Sequence, residues 1–202
     1  RVRIRGLPRK SAKDSIIRSE LVDAAIERRK NFDIETVSSL PVIIGCDPAW
    51  RGGDETTIWY RQGNYHCLLE KYKLEKESND THMITFNKLC YWERELRADA
   101  IFIDQAEGTT VYTLATNLGK VSWYLINFAN SATDHPEFKQ SQYGNIRAQM
   151  YYESRDALMK EAVIDSKDEK WIPEIVSQLT WTKGTRHKVH NKKMAIAKSE
   201  IK

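Results

Sequence analysis

Apolar residues in this chain gather into short runs, rich in β-branched side chains, that stop abruptly on a polar residue. Val42 to Cys46, bounded by Pro41 and Pro48, reads as a central strand buried on both faces, with Asp47 at its carboxyl end. Thr56 to Arg61 is a second strand, and Gln62, Gly63 and Asn64 turn the chain into a third, giving an antiparallel meander. Met83, Phe86, Leu89 and Cys90 recur near the helical period, so a helix capped by Asn79 or Asp80 is expected to run to about Arg97. Ala100 to Ile103 repeats the first pattern, a short apolar strand ending on a carboxylate, Asp104. Val111, Leu114, Ala115 and Leu118 fall at i, i+3, i+4 and i+7, with Gly119 placed to stop the helix, and Val121 to Ile126 follows as a fifth strand.

The flanks are more polar. Arg1, Arg3, Arg5, Arg9 and Lys10 open the chain, and a polar helix is expected from about Ser15 to Lys30, so that residues 1–38 read as a lead-in arm and 39–202 as the domain. Beyond the fifth strand a polar loop leads to a helix from Ile146 to about Glu161, and Ile172, Ile175, Val176 and Leu179 mark another. The stretch "LTWTKGTRHKVH" reads as two short strands around Lys183 and Gly184, and the last dozen residues as the start of a helix.

This order predicts an α/β fold with a mixed sheet. A right-handed crossover through the helix that follows Asp80 returns the Asp104 strand parallel to the Asp47 strand and beside it. Adjacent strands lie about 4.8 Å apart. The two carboxylates then converge at the carboxyl edge of the sheet, where open α/β sheets hold ligands. Two anions so close repel unless a cation lies between them. Carboxylates without Cys or paired His are hard ligands suited to Mg²⁺ or Mn²⁺. Two such ions about 4 Å apart activate water and stabilise a leaving oxygen, which is the chemistry of a nuclease. An Asp after a strand also serves as a plain loop residue or helix N-cap; two such endings on neighbouring strands favour the metal. Asp54, after Gly52 and Gly53, either adds a ligand or shapes the turn, and Glu107 reads as a solvated loop charge.

At 202 residues, 41% of them hydrophobic and six of them Trp, the chain is expected to fold as one domain. Trp59, Trp92, Trp123 and Trp171 fall on expected core positions. With no run of about 18 apolar residues and no signal-peptide core, neither a membrane partner nor export is expected; the chain reads as soluble and intracellular. Cys46, Cys67 and Cys90 are far apart in apolar segments, as expected of reduced, buried thiols. His187 and His190 read as part of a solvated basic loop and not as a zinc pair. Net charge is only +4, yet Lys183 to Lys202 carries seven Lys or Arg against one acid, Glu200, which points to an anionic partner.

Three blocks, "VIIGCDPAWRGGDETTIWYRQG", "AIFIDQAEGTTVYTLA" and "YGNIRAQMYYESRDALMKEAVI", resemble the nuclease domain of the large terminase subunit of tailed bacteriophages, a member of the RNase H-like superfamily. The likeness runs over most of the chain, and the arm "RVRIRGLPRKSAKDSIIRSELVDAAIERR" is similar to the segment that joins that family's packaging ATPase to its nuclease. The resemblance implies an RNase H-like α/β fold, a mixed five-stranded sheet flanked by helices. It also implies a metal-dependent endonuclease that cuts concatemeric double-stranded DNA in the host cytoplasm, working with a packaging ATPase domain, a small terminase subunit and a portal. Asp47 and Asp104 match the two strand-borne ligands of two Mg²⁺ or Mn²⁺ ions, Asp54 an acidic position of some members, and Arg147 a recurring Arg that is structural or phosphate-facing.

The family's third acid lies in a Ser-Pro-Asp-x-x-Asp-like block after a Lys-rich helix, and the chain is expected to stop short of it; Glu200 does not fit the block. The pattern G-x-x-x-x-G-K-[ST] is absent, so ATP hydrolysis is not expected of this sequence. Arg186, Lys188, Lys192 and Lys193 are the candidates for gripping DNA phosphates. Two rivals remain at this stage: another RNase H-like nuclease of resolvase or transposase type, and a non-catalytic docking module of a packaging motor.

Overall fold

A computed structural model describes residues 14–49, 54–73, 81–133, 142–186 and 191–196. The chain divides into two compact units: Asp33–Asn127 with Asp165–Lys167, and Arg1–Phe32 with Phe128–Ile164 and Asp168–Lys202.

The first unit is built on the sheet. Strands β1 (Val42–Asp47), β2 (Thr56–Gln62) and β3 (Tyr65–Tyr72) form the expected antiparallel meander. Strand β4 (Ala100–Asp104) runs parallel to β1, and β5 (Trp123–Ile126) parallel to β4, giving the order β5-β4-β1-β2-β3. A sixth strand, β6 (Val163–Ser166), follows β3 in the sheet, and just beyond it Lys167 N–H donates to Leu68 O at 3.0 Å. The sequence reading missed β6 because four residues hold too little alternation to register as a strand. Between β2 and β3 the turn needs a glycine for two reasons. Gly63 has φ +57°, and a Cβ there would lie 2.7 Å from Leu40 Cδ1 and 2.9 Å from Val37 Cγ1.

Helices α2 (Thr81–Leu96) and α3 (Gln105–Asn117) share the core with one face of the sheet, where Ile44, Ile58, Ile101, Ile103, Leu89 and Val111 are fully buried. Their polar edges are tied down: Trp123 Nε1 donates to Glu93 Oε1 at 2.8 Å, and Trp92 Nε1 to Glu70 Oε1 at 2.7 Å. Four expectations change here. Met83 is exposed, because the buried stripe of α2 is Thr81, Thr85, Phe86, Leu89 and Trp92. Leu118 and Val121 are exposed as well, since α3 ends at Asn117 and β5 begins only at Trp123. Strand β1 buries one face and not two: Ile44 and Cys46 are buried, Ile43 and Gly45 half-buried. Trp59 and Trp171 are half-buried, whereas Trp92 and Trp123 are in the interior. The three cysteines are free thiols, with Cys90 half-buried.

The second unit holds α1 (Ser19–Arg28), α4 (Ile146–Lys160), α5 (Ile172–Trp181) and a hairpin of β7 (Gly184–Arg186) and β8 (Lys193–Ala195). Asn145 caps α4 by accepting from Ala148 N–H at 2.9 Å. Arg28 closes the other end of α4, donating from Nη1 to Leu158 O at 3.2 Å and to Ala162 O at 2.7 Å. The hairpin starts later than the sequence pattern placed it, because Leu179 to Trp181 complete α5. Residues 193–195 form a strand where the start of a helix was expected, since they pair with 184–186. Among the described residues no helix is long and apolar enough to cross a membrane.

Candidate functional site

Strands β1 and β4 pair in parallel with Ile43 opposite Ala100 and, three steps on, Cys46 opposite Ile103. One step further along each strand stand Asp47 and Asp104, at the same level and on adjacent strands. Cys46 and Ile103 point into the core. Side chains alternate along a strand, so both carboxylates belong to the opposite face. Asp47 is exposed and Asp104 half-buried.

The buried Cys46 thiol lies within the field of both carboxylates. Burial raises its pKa far above the usual thiol range, and Asp47 and then Asp104 push it further in the same direction. Asp104 also performs the plainer task that its position allowed. It is the N-cap of α3, accepting from Ala106 N–H at 3.3 Å. The helix is held close to the strand ends by Gly108: a Cβ there would lie 2.3 Å from Ile103 Cγ2 and 3.3 Å from Pro48 Cγ. These are the residues directly before Asp104 and directly after Asp47. The spacing Asp-x-x-x-Gly seen in the sequence therefore has a packing reason.

On the face that carries the two carboxylates, Gly45 faces open space, with nothing within 4 Å of a Cβ built on it among the described residues. Phe102 and Tyr124 stack there at 5.2 Å between ring centroids and are 37% and 46% exposed, so an apolar surface adjoins the acidic strand ends. A shallow depression of about 280 Å³ is lined by His82 of α2 and by Ala106, Glu107, Thr109 and Thr110 of α3. His82 had no place in the sequence reading. Only its proximity to the start of a helix distinguished it, and that signal is weak.

The remaining candidates are dispersed. Asp54 is exposed two residues before β2, and its neighbour Glu55 pairs with Lys71 at 2.8 Å. Glu107 stands in the first turn of α3 and not in a loop, where its charge favours the positive helix end. Arg147 is half-buried at the start of α4, and its backbone N–H donates to Phe128 O at 3.1 Å. Arg186 lies on β7 and Lys193 on β8, with Lys192 immediately before it. Lys188, His187, His190 and Glu200 lie outside the described residues. Among the described residues no group of three or more His, Cys, Asp and Glu is arranged to hold a metal ion. The pair Asp47 and Asp104 supplies two hard oxygen donors side by side, a set that fits a Mg²⁺ or Mn²⁺ ion sharing its remaining positions with water and substrate.

No protein-family model matches the sequence, and no curated protein sequence does. Solved structures do. The nuclease domain of the large terminase subunit gp2 of bacterial virus Sf6 is similar at a TM-score of 0.72 and 18% identity, over 92% of this chain and 89% of that one. Variants of that Sf6 domain have been solved with manganese and with calcium. The large terminase nuclease from thermophilic phage G20c is similar at a TM-score of 0.52 and 10% identity, over 80% of this chain and 75% of that one. With the parallel pairing of β1 and β4 and the meander beside it, the chain has the fold of the nuclease domains of bacteriophage large terminase subunits.

Proposed function

We propose that this chain is the metal-dependent endonuclease part of a viral DNA-packaging terminase, hydrolysing phosphodiesters of concatemeric double-stranded DNA. One observation carries the proposal: the register of β1 against β4 sets Asp47 and Asp104 level on neighbouring parallel strands. Two carboxylates so placed repel each other, and a divalent cation between them turns the repulsion into attraction. Asp47 and Asp104 would hold Mg²⁺ or Mn²⁺, two ions in the complete site, with Asp54, the next acid after Asp47, a further candidate ligand. The cations, when bound, supply charge for the phosphoryl oxygens and lower the pKa of water. The chain's own contribution is positional. Asp104 is fixed by its cap bond to Ala106 N–H and by the close packing of Gly108 of α3 on Ile103, so its carboxylate needs little reordering to receive a ligand.

The fold of the Sf6 and G20c domains, both named as nucleases, supports the same assignment, as do the Sf6 structures with manganese and calcium. In this reading residues 1–38 lead in from a packaging ATPase domain. DNA, the small terminase subunit and the portal are the partners, and the host cytoplasm is the place of action.

Nicking of supercoiled plasmid in Mn²⁺ or Mg²⁺ tests the proposal. Wild type should nick, and Asp47→Asn and Asp104→Asn should each lose nearly all nicking while keeping the thermal midpoint. Equal nicking by wild type and both variants would refute the assignment. A folded chain that includes the family's third acidic block, yet is inactive in every divalent metal and binds no Mn²⁺, would favour a docking module instead. Preference for branched over linear duplexes would point to a resolvase.

A further inference from the structure

Within the second unit, two cations converge on a pair of stacked tyrosines, and a third stands across the hairpin from one of them. Tyr143 and Tyr152 lie 5.9 Å apart between ring centroids, at 26°. Lys193 Nζ sits 5.5 Å from the Tyr143 ring and 5.3 Å from the Tyr152 ring. Arg155, three positions beyond Tyr152 on α4, places its guanidinium carbon 5.1 Å from the Tyr152 ring. Arg186 is the direct cross-strand partner of Lys193 in the hairpin.

This arrangement is costly for the protein alone. Like charges directly opposite on paired strands destabilise a sheet. Burial lowers the pKa of the Lys193 ammonium, Arg155 and Arg186 lower it further, and Asp156 alone among the named groups opposes them. Asp156 is already engaged by Arg155, through Nε at 2.8 Å and Nη2 at 2.5 Å.

The backbone nevertheless pins the cluster in place. Lys193 N–H donates to Gln142 O at 2.9 Å, Gly144 N–H donates to Lys193 O at 3.0 Å, and Lys193 Nζ donates to Gln142 Oε1 at 2.7 Å. Arg186 Nη1 donates to Asn191 O at 3.2 Å across the open end of the hairpin. Gly184 lets Tyr152 approach, since a Cβ there would lie 2.6 Å from its hydroxyl oxygen. Positive charge is thus gathered on a rigid support, and the ordering that a ligand would otherwise require is already done.

We propose that Arg155, Arg186 and Lys193, backed by Tyr143 and Tyr152, form a binding site for backbone phosphates of duplex DNA, read without regard to sequence. The inference rests on the nuclease reading only for the identity of the polyanion. It adds Arg155 and the two tyrosines to the cations that the basic segment advertised, and it assigns Lys193 a fixed place between them.

The experiment is fluorescence anisotropy of a labelled linear duplex with the full chain in EDTA, where no cleavage occurs, titrated from about 50 to 200 mM salt. Each phosphate contact contributes a slope of about −0.9 in log K against log salt, so neutralising a contact weakens binding roughly tenfold near 0.1 M. Arg155→Gln, Arg186→Gln and Lys193→Gln together should flatten the slope by about 2 to 3, with a scrambled duplex behaving identically. A folded triple variant with wild-type slope overturns the site. If the triple variant fails to fold, exposed Arg186→Gln alone should flatten the slope by about 1, and no change overturns the site equally. Asp47→Asn serves as the separating control. Loss of nicking with unchanged anisotropy leaves both proposals standing, whereas wild-type DNA binding without nicking removes the nuclease reading and spares this one.

Discussion

Replacing Gly108 by Ala sets two effects of opposite sign against each other at the point where α3 meets the acidic strand ends. Ala is the better helix former by about 1 kcal/mol, so an unobstructed glycine in α3 would gain stability on substitution. This one is obstructed. The new methyl would lie 2.3 Å from Ile103 Cγ2, far inside contact distance, and 3.3 Å from Pro48 Cγ. Ile103 is fully buried and β-branched, so it has no free rotamer to retreat to, and Pro48 is a ring. Inserting a methyl into such packing costs about 1 to 3 kcal/mol, and the upper part of that range applies to a stiff neighbour. We expect a net loss of about 1 to 2 kcal/mol, which at a slope of about 2 kcal/mol per molar lowers the urea midpoint by roughly 0.5 to 1 M. Because the displaced atoms adjoin Asp104 and Asp47, nicking should also weaken under conditions where the variant is fully folded. Adding Ile103→Ala to Gly108→Ala should cost less than Ile103→Ala costs in the parent chain, since the added methyl then fills the space vacated. A midpoint equal to or above that of the parent chain refutes the close-packing account.

Three further outcomes follow from the same structure. Asp104→Ala should lose about 0.5 to 2 kcal/mol of stability along with its chemistry, because the cap of α3 goes too, whereas Asp104→Asn should retain the cap; equal thermal midpoints for the two variants would refute the capping role. The pKa of His66 is lowered to about 4, chiefly by burial and then by Arg61, so the folded state resists protonation that the unfolded chain accepts below 6.5. Its contribution is present above pH 6.5 and is lost as pH falls towards 4, on the order of 2 kcal/mol by pH 5; His66→Gln should flatten that part of the urea midpoint's pH profile, and an unchanged profile would rule the group out. Gly63→Ala should cost about 1 kcal/mol or more, from positive φ and from the clash with Leu40 and Val37; circular dichroism melts that leave the midpoint unmoved would contradict the turn geometry.

The sequence by itself determined most of the strands and helices and where two strands end on a carboxylate, because burial alternation, helical period and turn residues are properties of neighbours in the chain. The meander, the stop at Gly119 and the positions of Asp47 and Asp104 were all legible for that reason. The same local logic misplaced Met83, whose spacing from Phe86 fits the helical period although the buried stripe passes through Thr81 and Thr85. What only the tertiary structure decided is which distant segments meet. The crossover rule already placed the Asp104 strand beside the Asp47 strand; the register that levels the two aspartates is set by contacts distant in the chain, among them Val42 N–H donating to Asp99 Oδ2, 57 residues away, at 2.7 Å. The hairpin partner at residues 193–195, the sixth strand and the meeting of Arg155 with Arg186 and Lys193 belong to the same class. Periodicity records that a residue has a buried face or a charged one. The identity of the opposing surface is set by packing and hydrogen bonding across the chain, and it leaves no mark on the spacing of residues within either segment.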